Sequence, residues 1–422
     1  MVSKIFRSVT CYIRGLSKAE YALLREMCCY ANNLYNKALY EVRQHFFREK
    51  KLLRYEKNYY LCRDNENYKM LQNNAAQYVL KRADYTFKSF LALLKLADSG
   101  KYDPAKVRLP HYRRKGGLST LAVSIGKGGA SIFNGVFCVP MSRGFLAAHD
   151  KHRIRINIPP QLKDKAIKQV NIIPAANGRA FKIQYCYLCE PEDLKLNPEH
   201  CLSVDIGLDN LAACVDSCGT AFIMDGRRIK SINHRWNKLK ARLQSVYTKQ
   251  GIYSGRKLDM LTLKRNEQNQ DIFRKSARYI INYCIAHDIG TLVVGCNPLW
   301  KDNINLGRVS NQNFVQVPFA CLRRLLKCHC ERYGIAYIEQ EESYTSKASF
   351  LDGDVIPVYD GRTKHKFSGV RVKRGLYRSG NGTLINADVN GAANILRKCK
   401  QNLNYERLCT GLTVSPSRIR LR

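Results

Sequence analysis

Apolar residues recur along this chain with different rhythms, and each rhythm marks a region. Ile5–Ile13 reads as a strand. Ser17-x-x-Glu20 then has the form of a capping box, with Leu16 placed to staple onto Tyr21. Leu24, Met27, Ala31, Leu34, Ala38 and Phe46 fall on one helical face and predict a helix to about residue 49. A second helix is expected from about Asn67 to Leu96. Leu71, Ala75, Val79, Ala83, Phe87, Phe90 and Leu94 share its face, and Asp98-Ser99-Gly100 ends it.

After Pro110 the texture changes. Leu121–Ile125, Ser131–Val139, Ile154–Ile158, Gln169–Ile173 and Ala180–Glu190 are short runs between Gly, Pro and Asn turns, which is all-β organisation. Pro191–Pro198 reads as a linker. Beyond it, Leu202–Ile206, Leu211–Asp216 and Ala221–Met224 are expected strands, followed by a basic helical segment from about Lys230. Helix Ile272–His287 and strand Thr291–Gly295 come next, then helix Val317–Tyr333 and strand Ile335–Glu342. Ser346–Leu384 is a Gly-rich basic excursion, and Asn386–Lys400 a closing helix. Three strands, two helix–strand pairs and a final helix are the order of an RNase H-like α/β domain. The whole is an α+β multidomain chain, and the tail after Gly411 is expected to be disordered.

Composition narrows the function. The 422 residues exceed one ordinary domain, and 45% apolar content supplies real cores. No run approaches the ~18 apolar residues of a spanning helix, and Met1–Arg7 carries no apolar leader. Lys and Arg number 71 against 34 Asp and Glu, a net charge of +37, and both halves of the chain share the excess. Such a balance points to a polyanion enclosed by the protein. A charge run alone is usually a solvated face; the total excess favours phosphate contact. Asp225–Arg265 holds 12 basic residues, Arg227 and Arg228 among them. Gly361–Arg378 holds seven and no acid, including Arg371, Lys373 and Arg374, with Phe367 and Tyr377 interleaved. Arg113-Arg114-Lys115 follows Pro110-His111-Tyr112. The 17 cysteines are expected to be reduced, mostly core residues. Cys186-x-x-Cys189 has no second knuckle, so no zinc is expected.

Two carboxylates stand out. Asp205 in Val204-Asp205-Ile206-Gly207 lies in a β-run, where burial is costly without a partner or metal. Asp388 opens the closing helix, and the small residues of Gly391-Ala392-Ala393 predict close packing that brings it beside the first strand. Converging carboxylates suit Mg²⁺ or Mn²⁺ and phosphodiester hydrolysis.

At these residues the chain resembles TnpB, the transposon-encoded RNA-guided nuclease, and the compact type V CRISPR effectors. Val204–Asn210, Glu342-Ser343-Tyr344-Thr345-Ser346-Lys347, Asp388–Ile395 and Leu34–Phe47 carry the resemblance. It implies a β-barrel wedge domain (1–15 and 107–195), a helical recognition lobe (16–106), a RuvC-like nuclease domain (196–345 and 384–410) and a basic target-strand insertion (346–383). It also implies a guide RNA, a double-stranded DNA target beside a short motif, and a prokaryotic, cytoplasmic, nucleoid-associated setting with one monomer per guide. Two departures follow. Gly295 stands where the family carries a Glu, and the segment after Ser346 lacks the family's zinc-ribbon cysteines. A Glu from the neighbouring strand end, Glu341 or Glu342, is expected to replace the missing acid; alternation along the strand lets one of them face the site, not both, and the resemblance favours Glu342. The alternatives are a nuclease-inactive RNA-guided repressor and a transposase accessory protein.

Overall fold

The computed structural model describes residues 4–126, 128–297, 316–358, 365–400 and 403–421. The chain divides into two compact units, Lys4–Cys189 and the residues from Glu190 onward.

In the first unit, β1 (Ile5–Tyr12) pairs antiparallel with β7 (Ala180–Cys189). β7 in turn pairs with β6 (Ala166–Ala175), and β6 with β2 (Leu121–Ser124). A smaller sheet joins β3 (Ile132–Phe133), β4 (Val136–Cys138) and β5 (Arg155–Asn157). The expected single strand over Ser131–Val139 is thus a hairpin. Asn134 and Gly135 both take positive φ (46° and 74°), the backbone that a two-residue hairpin turn requires. A short helix, α5 (Arg143–Ala148), interrupts the β region. Ser142 caps it by accepting from Phe145 N at 3.0 Å, and Phe145 is buried.

Helix α1 (Lys18–Glu49) carries the expected capping box: Ser17 N donates to Glu20 Oε2 at 2.8 Å, and Glu20 N to Ser17 Oγ at 3.1 Å. The second expected helix is divided. α3 (Glu66–Lys69) and α4 (Asn73–Asp98) replace it, and a further helix that the pattern did not predict, α2 (Tyr55–Cys62), precedes them. Short polar side chains make the break: Asn65 accepts from Asn67 N at 3.0 Å, and Gln72 from Ala75 N at 3.2 Å. Helices and strands of this unit share one apolar core, from Leu24, Met27 and Phe87 to Phe137, Phe145 and Tyr185.

The second unit holds a six-stranded sheet. β8 (Cys201–Asp205), β9 (Asn210–Asp216) and β10 (Ala221–Asp225) run antiparallel in sequence. Helices α6 (Arg227–Lys249) and α7 (Arg256–Ala286) lead to β11 (Thr291–Gly295). α7 starts well before Ile272; its first half mixes charged residues with the half-buried Leu258, Leu261 and Leu263, too weak an apolar pattern to mark a helix in the sequence. Helix α8 (Phe319–Tyr333) leads to β12 (Ala336–Gln340). β11 lies parallel between β8 and β12, with Val294 opposite Val204 and Gly295 opposite Gln340. A three-stranded sheet of β13 (Val370–Lys373), β14 (Leu376–Arg378) and β15 (Leu384–Asn386) precedes the closing helix α9 (Ala387–Cys399). Residues 361–364 of the basic run lie outside the described residues.

The tail corrects its expectation of disorder. α10 (Tyr405–Leu412) is followed by β16 (Ser417–Ile419), which pairs parallel with β10. β10 would otherwise present an open edge, and an edge strand offers unpaired donors and acceptors to any short extended segment. All 17 cysteines are free thiols; Cys28, Cys62, Cys201, Cys214, Cys284 and Cys330 are buried. No helix among the described residues is long and apolar enough to cross a membrane.

Candidate active site

Strands β8 and β11 run parallel, so their C-terminal ends open on one edge, where such sheets place ligands. Asp205 is the last residue of β8. α9 packs directly over it because residue 391 is glycine: a Cβ there would lie 2.7 Å from Asp205 Oδ2. That close approach sets Asp388, in the first turn of α9, beside the strand. Asp388 Oδ2 accepts from Asn210 Nδ2 at 2.5 Å, and its Oδ1 from Arg371 Nη2 at 3.1 Å.

The third acid arrives from β12, though not by the expected route. The strand ends at Gln340, so Glu341 and Glu342 lie in the following turn and pleat alternation does not sort them. Partners do. Glu341 accepts from Lys398 Nζ at 2.7 Å and from Ser343 N at 2.6 Å. Glu342 is left to turn inward over Gly295, where a Cβ would lie 2.5 Å from Glu342 Oε2. The carboxylate therefore fills the space that a side chain at the end of β11 would occupy.

One face of α9 holds this turn in place. Asn390 Nδ2 donates to Ala348 O at 2.8 Å, Asn394 Nδ2 to Thr345 O at 2.9 Å, and Lys398 Nζ to Ser343 O at 3.2 Å. Thr345 Oγ1 donates to Glu342 O at 2.8 Å. Sequence reading missed these positioning residues; the four-residue steps from Asn390 to Asn394 to Lys398 were the available signal.

Burial and mutual charge raise the carboxyls of this sheet edge. Burial holds Asp205 well above the usual carboxylate range, with the charges of Glu342 and Asp388 adding and Arg371 opposing. Burial and then Glu341 push Glu342 up to about 7, against Arg323 and Lys398. Among the described residues no three His, Cys, Asp or Glu side chains are gathered closely enough to hold an ion unaided, and both oxygens of Asp388 are engaged by Asn210 and Arg371. The donor set is nonetheless all carboxylate and mutually repulsive, which fits a hard divalent cation.

The burial of Glu342 has a measurable consequence. The unfolded chain releases the Glu342 proton near 4.5, whereas the folded protein keeps it to about 7. Stability of the metal-free protein should fall as pH rises through that window, by up to ~3 kcal/mol from this group. Glu342→Gln should flatten the fall in melting temperature between pH 5 and pH 8. An undiminished fall in the variant would place the titrating group elsewhere.

A basic basin adjoins Asp388, lined by Arg227, Lys230, Arg371, Arg374 and Arg418. Acids hold several of these in place: Lys230 Nζ bonds Asp209 Oδ1 at 2.7 Å, Arg374 also pairs with Asp209, and Arg227 pairs with Asp225. Of the candidate contacts, Arg227, Arg371 and Arg374 converge here. Arg228 does not; its Nη1 donates to Leu421 O at 2.9 Å. Lys373, on β13, is exposed and outside the basin lining. Arg418 was hidden in the supposed tail, and its Nη1 donates to Asn210 Oδ1 at 2.9 Å. In the other unit, Arg114 and Lys115 are exposed and Arg113 is half-buried.

Comparison with known proteins agrees with this architecture. The family OrfB_IS605, described as a probable transposase, matches residues 184–299, and the Cas12f1-like TNB domain matches residues 319–395. The TnpB-like protein ORF457 of Acidianus two-tailed virus is 25% identical over 413 residues, spanning 89% of this chain and 83% of the relative. A Cas12f1–sgRNA–target DNA complex solved by cryo-electron microscopy shares the fold, with a TM-score of 0.60 at 14% identity over 90% of this chain and 83% of that one. With two family matches side by side and a relative aligned over most of its length, the chain is similar to TnpB-like proteins and shares its fold with Cas12f1.

Proposed function

We propose that this chain is an RNA-guided DNA endonuclease that cleaves its target by metal-dependent phosphodiester hydrolysis at one RuvC-like site. The observation that supports the reading is Glu342 folded over Gly295, at the sheet edge where the charges of Glu342 and Asp388 act on Asp205. Asp205, Glu342 and Asp388 would hold Mg²⁺ or Mn²⁺, which supplies Lewis-acid stabilisation of phosphoryl charge and a water of lowered pKa. The protein's own contribution is placement. Asn390, Asn394 and Lys398 fix the turn that bears Glu342, and the Arg371–Arg374 hairpin brings positive charge beside Asp388. The adjoining basin, with Arg227, Lys230 and Arg418, suits the phosphates flanking the scissile bond. Guide RNA and target DNA are the partners this reading requires, with base pairing reading sequence and the protein reading a short flanking motif. The setting is prokaryotic and cytoplasmic, with one chain per guide.

The test is to purify the protein with its co-purifying RNA, sequence that RNA, and incubate the complex with plasmids carrying the matching target and randomised flanks. Mg²⁺-dependent cutting next to one flanking motif is expected. Binding without cutting supports the repressor alternative, and joined rather than cut ends support strand transfer.

Binding should also be steeply salt-dependent. With roughly 6–10 phosphate contacts, guide affinity should fall ~10³–10⁵-fold between 50 and 200 mM salt as counterion release loses its drive. A flat profile would place the excess charge outside the interface.

A further inference from the structure

Helices α6 and α7 leave a groove between them, outside the carboxylate cluster. They run antiparallel: Trp236 Nε1 donates to Thr262 Oγ1 at 3.3 Å, and Asn233 Oδ1 accepts from Arg265 Nε at 2.7 Å and from Asn269 Nδ2 at 3.0 Å. The groove encloses about 210 Å³. Ile232, Trp236, Leu239 and Leu261, all half-buried, line it, and the exposed Arg235 and Lys264 stand among them.

No acid is among the lining residues. Arg235 and Lys264 form no ion pair among the described residues. An apolar lining edged by unpaired cations calls for a ligand with a flat apolar body and a negative charge. A nucleotide of an unpaired strand has both, a base with a π-face and a phosphate. The volume lies below the ~300–1,000 Å³ of sites for drug-sized ligands, so it suits one ring system rather than a run of bases.

Trp236 is held in place before any ligand arrives. Thr262 fixes its indole nitrogen, and Lys240 Nζ and Arg265 Cζ lie 4.8 and 5.0 Å from its ring centroid. Arg265 is itself pinned, its Nη1 donating to Asn266 Oδ1 at 3.0 Å and its Nη2 to Gln316 O at 2.9 Å. A ring ordered in advance costs little more to immobilise on binding. The position of the groove identifies the strand. Arg227, Ser231 and Arg235 follow at four-residue steps and share one face of α6. Arg227 lines the basin beside Asp388, whereas Ser231 and Arg235 line the groove. At ~1.5 Å per residue the stripe carries a strand ~12 Å along the helix.

We propose that the groove between α6 and α7 receives one base of the unpaired DNA strand that crosses the basin, with the base against Trp236 and its flanking phosphates on Arg235 and Lys264. The inference rests on the DNA-cleaving reading above. It gives two members of the basic run a ligand contact and adds Trp236, which no charge pattern marks.

The test uses the full chain with its co-purifying RNA in a Trp300→Phe background, which leaves Trp236 as the sole tryptophan. With EDTA present to prevent cutting, a labelled 12-nucleotide oligo-dT and an abasic strand of the same length are titrated. Anisotropy reports binding and tryptophan emission reports the groove. Oligo-dT should quench Trp236 as a base stacks on the ring, while the abasic strand binds without quenching. Because the RNA is already bound, a groove still open to an added strand is not the guide's. Trp236→Ala should weaken oligo-dT about tenfold, the loss of one stacked base, and leave the abasic strand unaffected. Trp236→Phe, which keeps a ring in the packing, should recover most of that loss. Arg235→Gln and Lys264→Gln, both at exposed positions, should each lower the salt slope by about one for both strands. The proposal is overturned if oligo-dT binds with Trp236 emission unchanged, or if the two strands quench alike. Emission that ignores oligo-dT but rises when the RNA is stripped at high salt gives the groove to the guide and equally overturns it. If the complex binds neither oligo-dT nor a DNA duplex, the nucleic-acid reading itself fails.

Discussion

Glu342→Gln should abolish target cleavage while leaving guide RNA binding and the fold intact. Gln keeps the shape of the side chain and removes the charge that would hold a divalent cation. Asp205→Ala and Asp388→Ala should behave alike, each losing about a thousandfold or more in turnover, as several kcal/mol of charge stabilisation are removed. Glu341→Gln should be milder, about tenfold, because Glu341 acts through position: it anchors Lys398, which is only 12% exposed and would lose this carboxylate partner. Single-turnover cleavage with saturating guide and Mg²⁺ separates these outcomes. Wild-type cleavage by Glu342→Gln with deep loss in Glu341→Gln would move the third ligand by one residue. Retained cutting by Asp205→Ala or Asp388→Ala would falsify the site.

Parts of this geometry were legible in the sequence because they rest on local pattern. The strand order around Asp205 followed from apolar runs alternating with helical periods. The packing of α9 onto β8 followed from the small residues around Gly391. Glu342 over Gly295 was legible as a neighbour relation between parallel strands, yet the expected sorting by alternation does not apply. β12 ends at Gln340, and the choice between the two acids is made by Lys398, more than fifty residues away in sequence. Such a contact leaves no periodic trace. Arg418 was obscured for a similar reason: three residues completing a sheet edge carry too little pattern to be told from a loose tail. Arg228 illustrates the opposite failure. It sits in the same basic run as Arg227, but neighbours on a helix point in directions about 100° apart; Arg227 lines the basin and Arg228 ties down Leu421.

Gly295→Ala should leave the protein folded and cost roughly 10–100-fold in cleavage. The added methyl would meet Glu342 Oε2 at 2.5 Å and Ile395 Cδ1 at 2.6 Å. Both are far ends of flexible side chains, so the backbone need not move and the melting temperature should change by only a few degrees. The carboxylate, however, loses the space that lets it stand beside Asp205. Displacements of about 1 Å at a reacting centre cost on the order of a hundredfold. The loss should appear in the cleavage rate constant, with target affinity unchanged. Gly295→Glu in the wild-type background should be worse, because two acids would compete for one space. In the Glu342→Gly background it should regain part of the activity if the backbone at the end of β11 still accepts a side chain. Full activity in Gly295→Ala would show that Glu342 does not use the space over residue 295, and the third ligand would then have to come from another acid at the same sheet edge.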